Sequence, residues 1–394
     1  MQAGPVRVEA SGLEGFYEVV YEAFDSSLLG TASLGAGGDY TTSAVVRSFD
    51  LAAVIDDSLR EAMSLAGVLS GVADVSGEVG GAYAMTGSIA ELTLAVRGQN
   101  AALTAPFSFA ASPDSIRLTE AALSGTFGEA SVAGSYRASG ALDLALSFGG
   151  AELHELAQLL PRPLEFPPRG RVAGNVRLAG TRQSPVFSAD VSLRDFEMSG
   201  LSLDSATLDA VGDSSDIMFE VTAASTESGL IWINGAVPVS PDSLTVLRLD
   251  PGREFGVSVA AEGFILDATE PILPGVRGEK RFRLDGSALL TGTVDSLASV
   301  TGRGLFTELS ASFDLAEFSL TDTVYFNVAG GRVEFDEFAV DVLRRHVLGE
   351  PAGGSVTVGG FVSLSGETRI LASSSGLDIG HLVRALGTRP GSQI

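Results

Sequence analysis

The chain has no cysteine, which excludes disulfides, thiolate metal sites and cysteine nucleophiles. It has no long hydrophobic run. The longest apolar stretch, from Gly229 to Val239, is interrupted by Asn234 and Pro238. It falls far short of the roughly 20 residues that a membrane-spanning helix needs. Cations are scarce: 25 Lys and Arg stand against 49 Asp and Glu, a formal charge of −24. Nucleic acids are bound by neutralising phosphates, and such a field repels them. It also opposes adsorption to anionic headgroups and fits a solvated polar face. Only three histidines occur, His154, His346 and His381, with no close pair and no HExxH. A GxSxG elbow, a P-loop and a glycosylation sequon are missing as well. Neither an enzyme, nor a metal site, nor a cofactor site has a constellation to support it. The opening Met-Gln-Ala-Gly-Pro lacks a secretory leader pattern, so for an exported protein the signal or anchor is expected outside this chain.

What remains is apolar and glycine-rich. Hydrophobic residues make up 45% of the 394, with 48 glycines and a mean hydropathy of +0.28. These residues alternate. Val172, Val176 and Leu178 share one parity against Arg171, Asn175 and Arg177; Phe187, Val191 and Leu193 oppose Ser188, Asp190 and Arg194. Phe282, Leu284 and Leu290 oppose Arg281, Arg283 and Ser287. Further inward positions are Phe313, Leu315, Val324, Phe326, Val356, Val358 and Val362. A period of two with one polar face predicts antiparallel strands wetted on one side. After Leu193 the parity passes to Phe196 and Met198, which a bulge or a turn between strands would produce.

A seven-residue phrase bounded by glycines recurs as Gly81–Gly87, Gly174–Gly180 and Gly286–Gly292, at spacings of 93 and 112 residues. Recurrence on this scale predicts stacked copies of one supersecondary unit. The copies are expected as the tail half of a preceding repeat over 1–48, repeats with a cap helix over 49–150, 151–263 and 264–376, and the cap helix of a truncated repeat over 377–394. Short amphipathic cap helices are expected over Leu51–Leu65, Ala151–Leu160, Asp267–Leu273 and Asp378–Leu386, the second with a proline stop and the last with Gly387 as its C-cap. Polar capping repeats are not visible, so the chain reads as a fragment of a longer protein or as one whose ends need a partner.

Other features have plain readings. Gly35-Ala-Gly-Gly38 lacks the third glycine of a dinucleotide fingerprint and reads as a turn. Asp204, Asp209, Asp213 and Asp216 lack the order of a calcium loop and read as a solvated loop. Trp232 reads as a strand residue. The basic Arg344-Arg345-His346 reads as a turn.

The run from Leu178 to Ala210, with Gly180, Pro185 and the alternating Phe187–Leu193, resembles the repeating unit of the TamB and AsmA-like proteins of the bacterial envelope. The run GLFTELSASFDLAEFSLTDTVYFNVAGGRVEFDEFAV is similar. The other two copies depart from the pattern, with Leu92 and Leu297 in the proline place. The resemblance implies an all-β fold: an elongated, curved antiparallel sheet of repeats, a β-taco whose groove is apolar. It implies a periplasmic protein anchored in the inner membrane by a segment absent from this chain. It further implies transport of phospholipid, outer-membrane biogenesis, and an outer-membrane barrel as partner. It brings no catalytic residues. A bent, one-sided sheet could leave a trough that acyl chains fill at about 0.8 kcal/mol per buried CH₂. The other reading left open is an adhesin or stalk in which the apolar face is a closed, dry core.

Overall fold

The computed structural model describes residues 7–13, 16–23, 27–51, 64–126, 128–158, 167–181, 183–198, 201–225, 229–240, 248–267, 280–313, 316–344, 353–363 and 368–375. They form strands almost throughout, in one antiparallel sheet. The chain divides into two compact units. The first comprises Met1–Pro167 and Arg171–Ala189, the second Pro168–Gly170 and Asp190–Ile394.

The first unit holds β1 (Arg7–Leu13), β2 (Phe16–Ala23), β3 (Leu28–Gly35), β4 (Asp39–Asp50), β5 (Ala66–Glu78) and β6 (Tyr83–Val96). The short β7 (Gln99–Leu103) and β8 (Phe107–Ser112) follow, then β9 (Ser115–Gly125), β10 (Gly128–Arg137), β11 (Ala141–Glu152), helix α1 (Leu153–Gln158), most of β12 (Arg169–Thr181) and the start of β13 (Pro185–Met198). The second holds the rest of β13, β14 (Leu201–Gly212), β15 (Asp216–Ser225), β16 (Gly229–Ser240), β17 (Arg248–Leu249), β18 (Glu254–Asp267) and β19 (Lys280–Thr293). It continues with β20 (Thr301–Phe313), β21 (Ala316–Leu320), β22 (Val324–Ala329), β23 (Arg332–Arg344), β24 (Gly353–Ser363) and β25 (Thr368–Ser375). Pairing is mostly between consecutive strands, as hairpin connections dictate.

Helix is scarce, as the period-two pattern predicts. Helix α1 lies inside the expected Ala151–Leu160 segment, although Ala151 and Glu152 still belong to β11. The expected helix at Asp378–Leu386, and almost all of those at Leu51–Leu65 and Asp267–Leu273, lie outside the described residues. One 3₁₀ turn, Leu297–Ser299, was not anticipated. The parity slip after Leu193 is a bulge, because β13 runs unbroken from Pro185 to Met198 with Asp195 at φ 52°.

The bulges are periodic. In the β4–β5, β11–β12 and β18–β19 pairs the register jumps after Val46, Phe148 and Ala261, opposite Gly71, Gly174 and Gly286. Each jump carries a residue at positive φ: Ser48, Gly150 and Gly263. These stand immediately before residues 49, 151 and 264, where repeats were expected to begin. The phrase in the first repeat that occupies the position of Gly174–Gly180 and Gly286–Gly292 is therefore GVADVSG, Gly71–Gly77. The phrase at Gly81–Gly87 instead spans the turn into β6.

A longer correspondence joins β6–β9 to β20–β23 at a constant offset of 217 residues, from Gly87/Gly304 to Ala121/Phe338. In both blocks a long strand carries a one-residue bulge, at Ala90 and at Thr307. It pairs with two short strands, and both of these pair with the next long strand. A threonine pins each break. Thr104 Oγ1 donates to the Ala122 carbonyl at 3.1 Å, and Thr321 Oγ1 to the Ala339 carbonyl at 3.0 Å. The same carbonyl also accepts the threonine's own amide, at 2.9 Å in the first block and 3.2 Å in the second.

Candidate functional site: an apolar sheet face

Side chains in register on one face form rows that cross many strands. In the second unit Leu208, Val221, Ile233, Val259, Ala288, Gly304, Phe326, Phe335, Gly360 and Ile370 pair in succession from β14 to β25. A parallel row runs Phe264, Leu284, Leu309, then Val340, Val356 and Ser374. Leu320 pairs with Val340 in the same line. In the first unit Leu118, Gly134, Leu144 and Leu178 make such a row, as do Ala121, Val132, Leu146 and Val176.

The opposite face is polar. Arg177 pairs with Asp143 at 3.0 Å and Arg283 with Glu308 at 3.2 Å. The hydrogen bond to Asp143 is the larger cause that raises the Arg177 pKa above its ordinary value, with its charge second. Hydroxyls pair across strands at Ser33–Thr41 and Ser131–Ser147, both 2.7 Å. Trp232 lies on this face of β16, paired with Thr222 and Ala260.

The apolar face is shallowly buried. Among the described residues seven of the fifteen buried hydrophobic ones are alanines, and only Leu203 and Phe326 are larger than valine. A closed sandwich core interdigitates bulky side chains at near-crystalline density. Here Leu144 and Leu146 on the apolar face of β11 remain 38% and 42% exposed.

The sequence-predicted wall residues fall as follows. Val172 is buried, and Val176, Leu178 and Phe187 are half-buried, in the first unit. In the second, Val191 and Leu193 on β13 and Phe282, Leu284 and Leu290 on β19 are half-buried. Val324, Phe326 and Val356 are buried, and Val358 is half-buried. Val362 shares their parity but is 39% exposed near the end of β24. The side chain of Phe313 and the whole of Leu315 lie outside the described residues.

Alternation missed several members of the face. Phe306 stacks on Phe326 with ring centroids 4.8 Å apart. Phe335 lies 6.2 Å from Phe326, and Phe338 6.3 Å from Phe335. The ring of Phe326 lies over Gly304, where a Cβ would strike it; the ring of Phe109 lies likewise over Gly87. Phe335 and Phe338 are of opposite parity. They reach one face because the β23–β24 register jumps between them. The signal for this was the 217-residue correspondence, in which Leu118 and Ala121 flank the same jump in β9–β10.

Beside this ring run lies an apolar cavity of about 310 Å³. Its walls are Leu309 and Ala311 of β20, Phe318 and Leu320 of β21, Phe338 and Val340 of β23, Val356 and Val358 of β24, and Ala372 of β25. Of the predicted wall residues whose side chains are described, only Val356 and Val358 line it.

Polar clusters have structural work. The Gln99 amide donates to Glu155 at 2.6 Å and to Gln158 at 2.8 Å, while Thr126 donates to its carbonyl oxygen. These bonds fasten α1 to β7. His154 pairs with Glu155 at 3.0 Å within α1; His346 and His381 lie outside the described residues. Gly35–Gly38 is a turn, with Gly38 donating to Gly35 at 3.0 Å. The acidic set does not form one loop. Asp204 and Asp209 are exposed on β14, and Asp213 and Asp216 lie at its hairpin. Bonds donated by the Ser215 amide and hydroxyl lower the Asp213 pKa; a Ser215 bond and then Arg253 lower that of Asp216. Arg344 ends β23 rather than standing in a turn. Among the described residues no group of three or more His, Asp or Glu is placed to hold a metal. No described helix is long and apolar enough to cross a membrane.

The chain matches no protein-family model, no curated protein and no solved structure.

Proposed function

We propose that this chain is a non-enzymatic envelope protein of the TamB/AsmA-like kind. Its apolar sheet face shelters phospholipid acyl chains as they move between membranes. The observation that carries this reading is the set of apolar rows over β14–β25, in which large side chains share one face yet mostly stay half-exposed. Leaving such a surface in water is unfavourable, and alkyl chains cover it without demanding hydrogen bonds. The polar face, with its ion pairs and hydroxyl pairs, stays wet, and headgroups would do the same. On this reading the protein works in the periplasm in outer-membrane biogenesis, with an outer-membrane barrel as partner and attachment to the inner membrane.

A photo-cross-linking residue at Leu284 tests the reading. It should capture phospholipid in cells, whereas the same residue at Arg283 or Ser287, on the opposite face, should not. Equal capture from both faces would defeat it. So would capture from neither in a folded protein, which is the result expected of a stalk with a dry closed core.

A further inference from the structure

At two positions on the apolar face the blocks related by the 217-residue offset exchange the smallest apolar side chain for a ring. Ala101 and Ala121 in the first block are Phe318 and Phe338 in the second. Both alanines are buried, at 5% exposure each. Ala101 shares its face with Gln99, which holds α1 by two hydrogen bonds. In the second block the two rings do not fill the equivalent space. They wall a cavity of about 310 Å³ with Leu320, Val340, Val356 and Val358.

We infer that this cavity is a discrete retention site for a single alkyl chain, a station at which the second unit holds lipid more tightly than the rest of the apolar face does. The inference rests on the lipid-sheltering reading above. Three observations commit the occupant. Among the described residues no charged or amide side chain and no hydroxyl lines the cavity, so a ligand that needs hydrogen bonds would lose them there. Its volume is at the low end for ligand pockets, about 300–1,000 Å³, which suits one chain segment rather than a helix or a second sheet. The rings stand at its wall, where flat faces give large contact area to a methylene chain at little cost in side-chain freedom. The matched alanines in the first unit remove those walls, so the site belongs to one block and not to the repeat.

Filling the cavity tests this. Ala311→Phe places a ring inside it from β20, and Ala372→Phe does so from the more exposed β25. Binding of a dansyl-labelled undecanoic acid to the full chain is measured by fluorescence, with thermal melting as the check of folding. At least one filled variant should melt no lower than the parent and bind about tenfold more weakly, the loss expected when roughly two methylenes are kept out. Ala121→Leu in the first unit should leave the affinity unchanged. Unchanged binding by a folded, filled variant would overturn the site. A photo-cross-linker at Phe338 supplies the second arm. Lipid captured at Leu284 but not at Phe338 would sink the station and leave the wider reading standing; capture at neither would sink both. Cross-links from Phe338 into residues 378–386 would mean that the chain fills its own cavity, and would also overturn the assignment.

Discussion

The blocks β6–β9 and β20–β23 share a backbone plan and differ in what they place on it. Both have the bulged long strand, the split partner, the threonine clasp and a phenylalanine over a cross-strand glycine. The first continues with Ile89, Leu118 and Ala121 where the second has Phe306, Phe335 and Phe338. Hydrogen bonding, bulges and glycines set the path of the chain. The side chains on the apolar face then decide whether that path carries an aliphatic surface or a ring-walled cavity. Scaffold and binding character are therefore separable in this chain. Substitutions in the first class should act alike in both blocks, and those in the second should not.

The largest effect is expected at the paired phenylalanines. Phe326 is 8% exposed and stacked on Phe306, so Phe326→Ala should cost about 3–5 kcal/mol in denaturant unfolding. Phe109 is half-buried, and Phe109→Ala should cost about half as much. Equal losses would break the claim that the second block packs its rings as a cluster.

Next is the reciprocal change. Ala121→Phe puts the second block's ring into a position that is 5% exposed, and overpacking should destabilise by about 1–3 kcal/mol. A neutral result would mean that the first block holds an equivalent unfilled space, and the distinction between the blocks would fail.

The threonine clasps should behave alike. Thr104→Val and Thr321→Val each remove one hydroxyl bond to a backbone carbonyl, with an expected loss of about 0.5–1.5 kcal/mol apiece. Hydrogen exchange at residues 104 and 321, whose amides donate to the same carbonyls, should quicken to a similar degree. Strongly unequal responses would show that the clasp is structural in only one block.

The smallest effect separates two hairpin turns. The β14–β15 turn of the second unit is held by Asp213 and Asp216, whose pKa values are depressed in the folded chain. Their contribution is present above the ordinary carboxylate value of about 3.9 and is lost as pH falls through the depressed values. The β3–β4 turn of the first unit closes through a backbone bond from Gly38 to Gly35. Amide exchange at Ser215 and Asp216 should accelerate in acid, relative to intrinsic rates, more than at Gly38. Parallel profiles at the two turns would remove the assigned role of the carboxylates.

Some of this was legible in the linear pattern. Alternation such as Phe282, Leu284, Ala288 and Leu290 against Arg281, Arg283, Asp285 and Ser287 requires a strand with two unlike faces, whatever its neighbours. It also led to Val324, Phe326 and Val356, which are indeed buried. The cavity was less legible. Its walls come from five strands, and three of them carry or oppose bulges. Each extra residue reverses the parity beyond it, so Phe306 and Leu309, or Phe335 and Phe338, share a face that a period of two denies them.

By itself, then, the sequence determined an all-β antiparallel sheet with one apolar face, because side-chain direction in a strand alternates through local geometry alone. Only the tertiary structure decided which apolar residues meet. Register between strands is fixed by bulges and by pairings tens of residues apart, and the difference between a buried Ala101 and a Phe318 that walls a cavity exists only once those pairings are made.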